Sequence, residues 1–216
     1  MKKILSALLI ALGLALAVPS PTPASNQIYP IQGLAWLDED GSYRNHCTAW
    51  ARKIEVPQVG TFIHWVTAGH CIVDEDGNPD LDRDYRIAGK RAYPISMNAQ
   101  LDLAELSGPE NVDGLSVEDV KNAPRVGKDP IWSEGHPFGW LVTVHTEGYV
   151  AAQLEEGYYL LQLPVAPGDS GAPVLNKRGR VIGMVQNTFC QGFWQGFCPV
   201  GGGSDLKALR FYFRLD

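Results

Sequence analysis

The feature that most restricts what this chain can fold into is its punctuation. Short apolar runs at 33–37, 47–56, 61–68, 85–95, 102–106, 140–152, 158–163, 172–176 and 180–186 are rich in Val, Ile, Tyr and Thr. Such residues fit a pleated, half-buried surface. Between the runs stand turn signals such as Asp76-Gly77-Asn78-Pro79, Ser107-Gly108-Pro109 and Arg178-Gly179-Arg180. Gly and Pro there supply the backbone angles that end a strand. Short strands spaced this regularly imply an all-β sandwich or a pair of barrels. Helix is expected at two places only. Residues 115–123 read as one short helix with Ser116 as N-cap, and Ser204 caps a short C-terminal helix with Leu206, Leu209 and Phe213 on one face. The triplet Phe211-Tyr212-Phe213 suits a strand equally. The stretch 107–130, rich in Gly, Pro, Asn and Asp, divides the chain into two β subdomains packed as one unit.

Composition excludes several function classes. Of 216 residues, 45% are hydrophobic and there are six Trp, so a sizeable core can form and a disordered chain is excluded. The net charge is −6 with Lys and Arg scattered, which leaves no basic footprint for nucleic acid. The N-terminus carries Lys2 and Lys3 ahead of an apolar run from Ile4 to Ala17, shorter than a bilayer span and typical of a signal-peptide core. Cleavage is expected after Ala17 or Ala24, with an uncleaved anchor as the alternative. Residues 1–24 are then signal and linker, and 25–216 form the working domain of a secreted or periplasmic protein without stable membrane insertion. The even count of four cysteines, Cys47, Cys71, Cys190 and Cys198, suits disulfides in that compartment. Cys47–Cys71 and Cys190–Cys198 are the simplest of three pairings. Zinc ligation is the alternative, but no C-x-x-C pair is present. Nothing in the pattern calls for a metal, a cofactor or a nucleotide.

Three short stretches carry chemistry. In "LPVAPGDSGAPV" (163–174) Ser170 sits in a knot of Gly, Asp and Pro between apolar runs. The stretch is either a surface turn or a bend that presents a hydroxyl. A serine attacks only with a base in reach, itself oriented by a third group. Of five histidines (46, 64, 70, 136 and 145), His70 in "WVTAGHC" follows an apolar strand on a small-residue turn beside Cys71. A disulfide there would fix the turn. For the orienting acid, the carboxylates between 74 and 84 read as a solvated loop. Asp102 in "AQLDLAEL" instead stands among leucines in a strand setting, where an unpaired carboxylate would be costly.

Taken in order, "TAGHC", "DLA" and "GDSGAP" resemble the chymotrypsin-fold (trypsin-like) serine proteases, whose triad runs His…Asp…Ser. The resemblance spans about Gly33 to Leu209. It implies two packed antiparallel six-stranded β-barrels and hydrolysis of protein or peptide substrates through an acyl-enzyme. His70 would be the general base, Asp102 its orienting carboxylate and Ser170 the nucleophile. The N–H groups of Gly168 and Ser170 would form the oxyanion hole. "SEGHPFGWLVTVHTEGYVAA" (133–152) is similar to a loop and strand flanking the active site of bacterial heat-shock-type proteases of this fold, and it gives His136 a structural place. By offset, Pro164 stands where trypsin has its pocket acid, and Gln186, Asn187 and Thr188 line the pocket wall. A neutral substrate pocket is therefore expected. Neither cleavage site yields the amino terminus that activates pancreatic members, so Asp169 is expected to be held by local hydrogen bonds, without a zymogen step. The alternatives are a catalytically silent binding module of the same fold and an esterase-like hydrolase.

Overall fold

The computed structural model describes residues 27–154, 157–188 and 198–215. The proposed signal segment 1–24 and Cys190 lie outside them. Twelve strands form two closed antiparallel barrels of six strands each. The first contains β1 (Ile31–Leu37), β2 (Tyr43–Val56), β3 (Gly60–Ala68), β4 (Tyr85–Ile87), β5 (Lys90–Asn98) and β6 (Leu103–Ser107), in the order β1-β2-β3-β6-β5-β4. The second contains β7 (Pro130–Gly135), β8 (Val144–Leu154), β9 (Tyr158–Val165), β10 (Pro173–Asn176), β11 (Val181–Thr188) and β12 (Cys198–Ser204), in the order β10-β11-β12-β9-β8-β7. Closure leaves no open sheet edge.

Each barrel is lined by buried apolar side chains from its strands. The first buries Ile31, Leu34, Trp50, Trp65, Tyr85 and Leu106. The second buries Ile131, Val150, Tyr159, Leu161, Val174 and Ile182. The cores meet along the seam where Leu175, Val181 and Met184 of the second barrel join the first cluster. The C-terminal helix α1 (Leu206–Phe213) closes this seam, burying Leu206, Leu209 and Phe213. Phe213 meets Trp50 edge-on at 6.2 Å, and the Arg52 guanidinium lies 4.0 Å over the Phe213 ring.

Several sequence expectations shift locally. The aromatic triplet is helical, because Phe213 is needed at the seam one turn after Leu209. The N-cap of α1 is Asp205, whose carboxylate accepts from Ala208 N at 2.9 Å, while Ser204 still belongs to β12. Residues 115–123 are not a helix. Their backbone pairs outward instead, as Leu115 N donates to Ala51 O and Glu118 N to Val181 O, and only a 3-10 turn at Val120–Asn122 remains, capped by Asp119. The run 85–95 is two strands, because Ala88 and Gly89 both take positive φ and turn the chain back. β7 and β12 were not expected as strands. The glycines of β12 are packing requirements: a Cβ on Gly203 would overlap the Met184 carbonyl, and one on Gly201 would lie 2.8 Å from Val165. Asp102 lies not in a strand but on the turn entering β6, at φ 49°.

Candidate active site

The site lies between the barrels and is assembled from three turns. β3 pairs with β6 so that Ala68 faces Leu103. The turn after β3 therefore meets the turn before β6. Gly69 allows the approach, since a Cβ there would come within 3.1 Å of the Asp102 carboxylate and 3.2 Å of its backbone. Gly69 N donates to Asp102 O at 3.0 Å. One Asp102 oxygen accepts the His70 backbone N–H at 2.7 Å, and the other lies 2.8 Å from His70 Nδ1. The carboxylate thus holds both the main chain and the ring, which sets Nδ1 as the protonated nitrogen and leaves Nε2 with its lone pair. The Cys47–Cys71 disulfide ties the same turn to β2.

Ser170 arrives on the loop between β9 and β10. Thr48 in β2 holds that loop twice: its N–H donates to Ser170 O at 2.8 Å and its hydroxyl to Gly168 O at 2.8 Å. Gly171 lies so close to β2 and β3 that a Cβ would overlap Thr48 O and Thr67 Oγ1 and approach Ala68 N to 3.1 Å. The Ser170 loop therefore rests directly on the turn that carries His70. Gly168 takes φ 100° with its α-carbon against the backbone of His136, Phe138 and Gly139, where a side chain has no room. Its peptide unit is fixed from behind, because Phe138 N donates to Pro167 O at 2.6 Å. The N–H groups of Gly168 and Ser170 donate to no acceptor among the described residues. The Ser170 hydroxyl donates to the Gln186 carbonyl at 3.3 Å and not to the imidazole.

The trypsin-like peptidase domain family matches residues 54–184, more than half the chain, a span that includes all three turns. The chain belongs to the trypsin-like peptidase family. Solved structures share its fold. The HtrA-type protease AlgW with a tripeptide aligns at TM-score 0.64 and 19% identity over 86% of this chain and 60% of its own. The serine endoprotease from Yersinia pestis aligns at TM-score 0.65 and 14% identity over 86% and 62%. An inactive form of Rv3671c from M. tuberculosis aligns at TM-score 0.63 and 13% identity over 86% and 85%. The chain thus spans about three-fifths of the length of the HtrA-type structures. No curated protein sequence matches it.

Within this trypsin-like site, carboxylate proximity alone does not single out His70. His46 pairs with Asp38, His64 with Glu105, and His145 with Glu134 and Glu147. Only the His70 turn also carries the serine loop. His136 is buried, which lowers its pKa and keeps it neutral. Its backbone N–H donates to Thr48 Oγ1 at 3.0 Å and its Nδ1–H to Trp140 O at 3.0 Å, so it braces the 136–143 loop. Cys47, His70 and Cys71 bring their side-chain donors within 4.8 Å of one another. The two sulfurs are bonded to each other, so they offer no thiolate to a metal.

Gln186, expected in the pocket wall, is buried and its side chain turns inward. Nε2 lies 2.7 Å from Leu101 O, 2.8 Å from Asp102 O and 2.7 Å from Ser204 Oγ. It thereby braces the left-handed turn at Asp102 from beneath. Asn187 is exposed and donates to the Tyr158 hydroxyl at 3.0 Å; Thr188 is half-buried and Pro164 is exposed on β9. Asp169 is buried, and one oxygen accepts the Ala166 N–H at 2.9 Å. The other fills the space that a side chain on Gly135 would take. Burial pushes this carboxyl up to about 7, against the lowering effect of the Ala166 bond. Sequence reasoning missed Thr48, the buried link between the barrels, because a threonine in a strand carries no signal of its own.

Proposed function

We propose that the protein is an exported serine endopeptidase acting through Ser170, His70 and Asp102. The observation that carries this reading is the double engagement of Asp102 with the His70 main chain and ring, on a turn against which the serine loop packs. Ser170 Oγ attacks the scissile carbonyl as His70 Nε2 takes its proton. The C–O bond forms, and the oxyanion is met by the Gly168 and Ser170 N–H groups. Collapse of the intermediate breaks the C–N bond, and His70 returns the proton to the leaving amine. Water then repeats the sequence on the acyl-enzyme, releasing the acid and regenerating the serine. Each oxyanion donor lowers the barrier by on the order of 3 kcal/mol. Asp102 fixes the tautomer and stabilises the imidazolium without taking the proton.

Residues 1–24 form a signal and linker in this reading, 25–216 the peptidase domain, and Cys190–Cys198 a second disulfide. Pro164, Asn187, Thr188 and the Gln186 backbone line a neutral pocket. One observation favours a silent module, namely the Ser170 hydroxyl bonded to Gln186 O and not to His70. Cleavage of a peptide library by purified protein separates the two. Endoproteolysis that vanishes in Ser170→Ala and discriminates against Lys and Arg before the scissile bond supports the reading. Hydrolysis of esters alone, or of nothing, contradicts it.

A further inference from the structure

Lys and Arg are scattered in sequence, yet the fold gathers six of the 18 at one end of the second barrel. Lys121, Arg125 and Lys128 precede β7, and Lys177, Arg178 and Arg180 lie in the turn between β10 and β11. β7 pairs with β10 so that Ile131 faces Asn176, which sets the two segments side by side. All six cations are exposed, on a chain whose net charge is −6. Between the segments lies a cavity of about 380 Å³. It is lined by Lys121, Arg125, Lys177 and Arg178, and by the apolar rings of Pro124 and Pro130.

Two carboxylates hold the walls in place. Glu118 is 4% exposed. It accepts from Asn122 Nδ2 at 3.1 Å, from Asn176 Nδ2 at 2.8 Å, from Asp119 N at 2.9 Å and from Arg178. One buried acid thus ties the turn at 119–122 to the turn after β10. Asp129 accepts from the Arg125 backbone at 2.8 Å and from its guanidinium at 2.7 Å. Lys121, Arg125 and Arg178 have acidic partners, whereas Lys128, Lys177 and Arg180 form no ion pair among the described residues. The cavity therefore carries surplus positive charge on a pre-formed frame. It also stands apart from the candidate active site. β7 reaches the cavity with Pro130 and the Ser170 loop with Gly135, which lies against Asp169. The strand puts about 17 Å between those ends, at ~3.3 Å per residue.

We propose that this cavity docks an acidic peptide segment of a partner protein. Its carboxylates meet Lys121, Lys177 and Arg178, and an apolar side chain lies against Pro124 and Pro130. Charge complementarity sets the sign of the ligand. Attraction is concentrated here, while the net negative charge repels an acidic chain from the rest of the surface. The concave shape and the proline rings favour a peptide over a flat anionic surface, because carboxylates and an apolar side chain together match both kinds of lining. The frame needs little ordering on binding, which lowers the cost. The inference is independent of the reactivity of Ser170.

The test uses the full chain as its Ser170→Ala variant, so that no probe is cut, and a fluorescein-labelled peptide Glu-Leu-Glu-Asp-Leu-Glu read by anisotropy. Saturable micromolar binding is expected, weakening as NaCl rises from about 0.05 to about 0.5 M. Lys121→Glu with Lys177→Glu is expected to weaken it about tenfold or more. Lys90→Glu with Arg91→Glu changes the net charge equally at exposed positions of β5 and is expected to leave binding within about twofold. Lys177 is exposed and unpaired among the described residues, so Lys177→Glu alone keeps the test open if the first pair folds poorly. Replacing both leucines of the peptide by serine is expected to weaken binding severalfold. Absence of binding, equal weakening by the two double variants, or indifference to the leucines overturns the inference. So does displacement of the peptide by an equal concentration of inorganic phosphate, or binding to phosphatidylglycerol vesicles with none to the peptide.

Discussion

The two barrels hold their halves of the site by different means. The first barrel presents His70 and Asp102 from a turn fixed by a disulfide, by two hydrogen bonds from His70 to one carboxylate, and by the Gln186 amide beneath. The second presents Ser170 and the Gly168 and Ser170 N–H groups from a glycine-containing loop held by hydrogen bonds and close packing, with the buried carboxyl of Asp169 in it. A base must stay in one tautomer and one orientation through both halves of the reaction. In the proposed mechanism the Ser170 hydroxyl leaves the Gln186 carbonyl for the imidazole, while its main chain stays held by Thr48.

The largest expected effect breaks the first half. Asp102→Asn keeps the shape but favours the wrong tautomer, and kcat/KM should fall on the order of 10⁴-fold, measured on a peptide substrate at neutral pH. A loss under tenfold would show that His70 is oriented by something else.

The second prediction concerns the other half. Burial raises Asp169 to about 7, whereas the unfolded carboxyl ionises near ~4. Between these values the folded state binds more protons than the unfolded one. Stability therefore falls as pH rises through this window, by on the order of 1 kcal/mol per pH unit, and levels off above it. Asp169→Asn keeps the acceptor for Ala166 N and lacks the titration, so its Tm should gain on wild type between pH 4 and 7. Parallel Tm curves would show that the carboxyl is ionised and paired.

The disulfide sharpens the contrast. Cys47 and Cys71 are 24 residues apart, and replacing both by Ala should cost about 3 kcal/mol in denaturant unfolding, mostly by releasing the unfolded chain. Adding a reductant should lower wild type by more than it lowers that variant, whose one remaining disulfide in this reading is Cys190–Cys198. The smallest effect is expected at Thr48→Val, which removes the hydroxyl from Gly168 O and His136 N. kcat should fall by less than the roughly 100-fold lost with an oxyanion donor itself, with KM little changed and Thr48→Ser restoring the rate. A change in KM with kcat intact would make Thr48 a substrate-binding residue.

These differences also explain what the residues announced in advance. "TAGHC", "DLA" and "GDSGAP" were legible because close backbone approaches and positive φ demand small residues around the reactive ones, as at Gly69, Gly168 and Gly171. The barrels were legible from apolar runs and turns. β12 was not, since glycine is a poor strand former and only the closeness of Met184 O and Val165 shows why these positions lack side chains. Residues 115–123 carry helical periodicity, but their donors find better partners in Ala51 O and Val181 O of the two barrels. The inward turn of Gln186 and the bridging of Thr48 depend on neighbours far away in sequence, which offsets along the chain do not encode.

The most direct test of the central claim is covalent labelling with a fluorophosphonate, read by intact-mass and peptide mass spectrometry. The account predicts one added phosphonyl group on wild type, located at Ser170, and none on Ser170→Ala. An unlabelled wild type, or labelling that persists in Ser170→Ala, would contradict it.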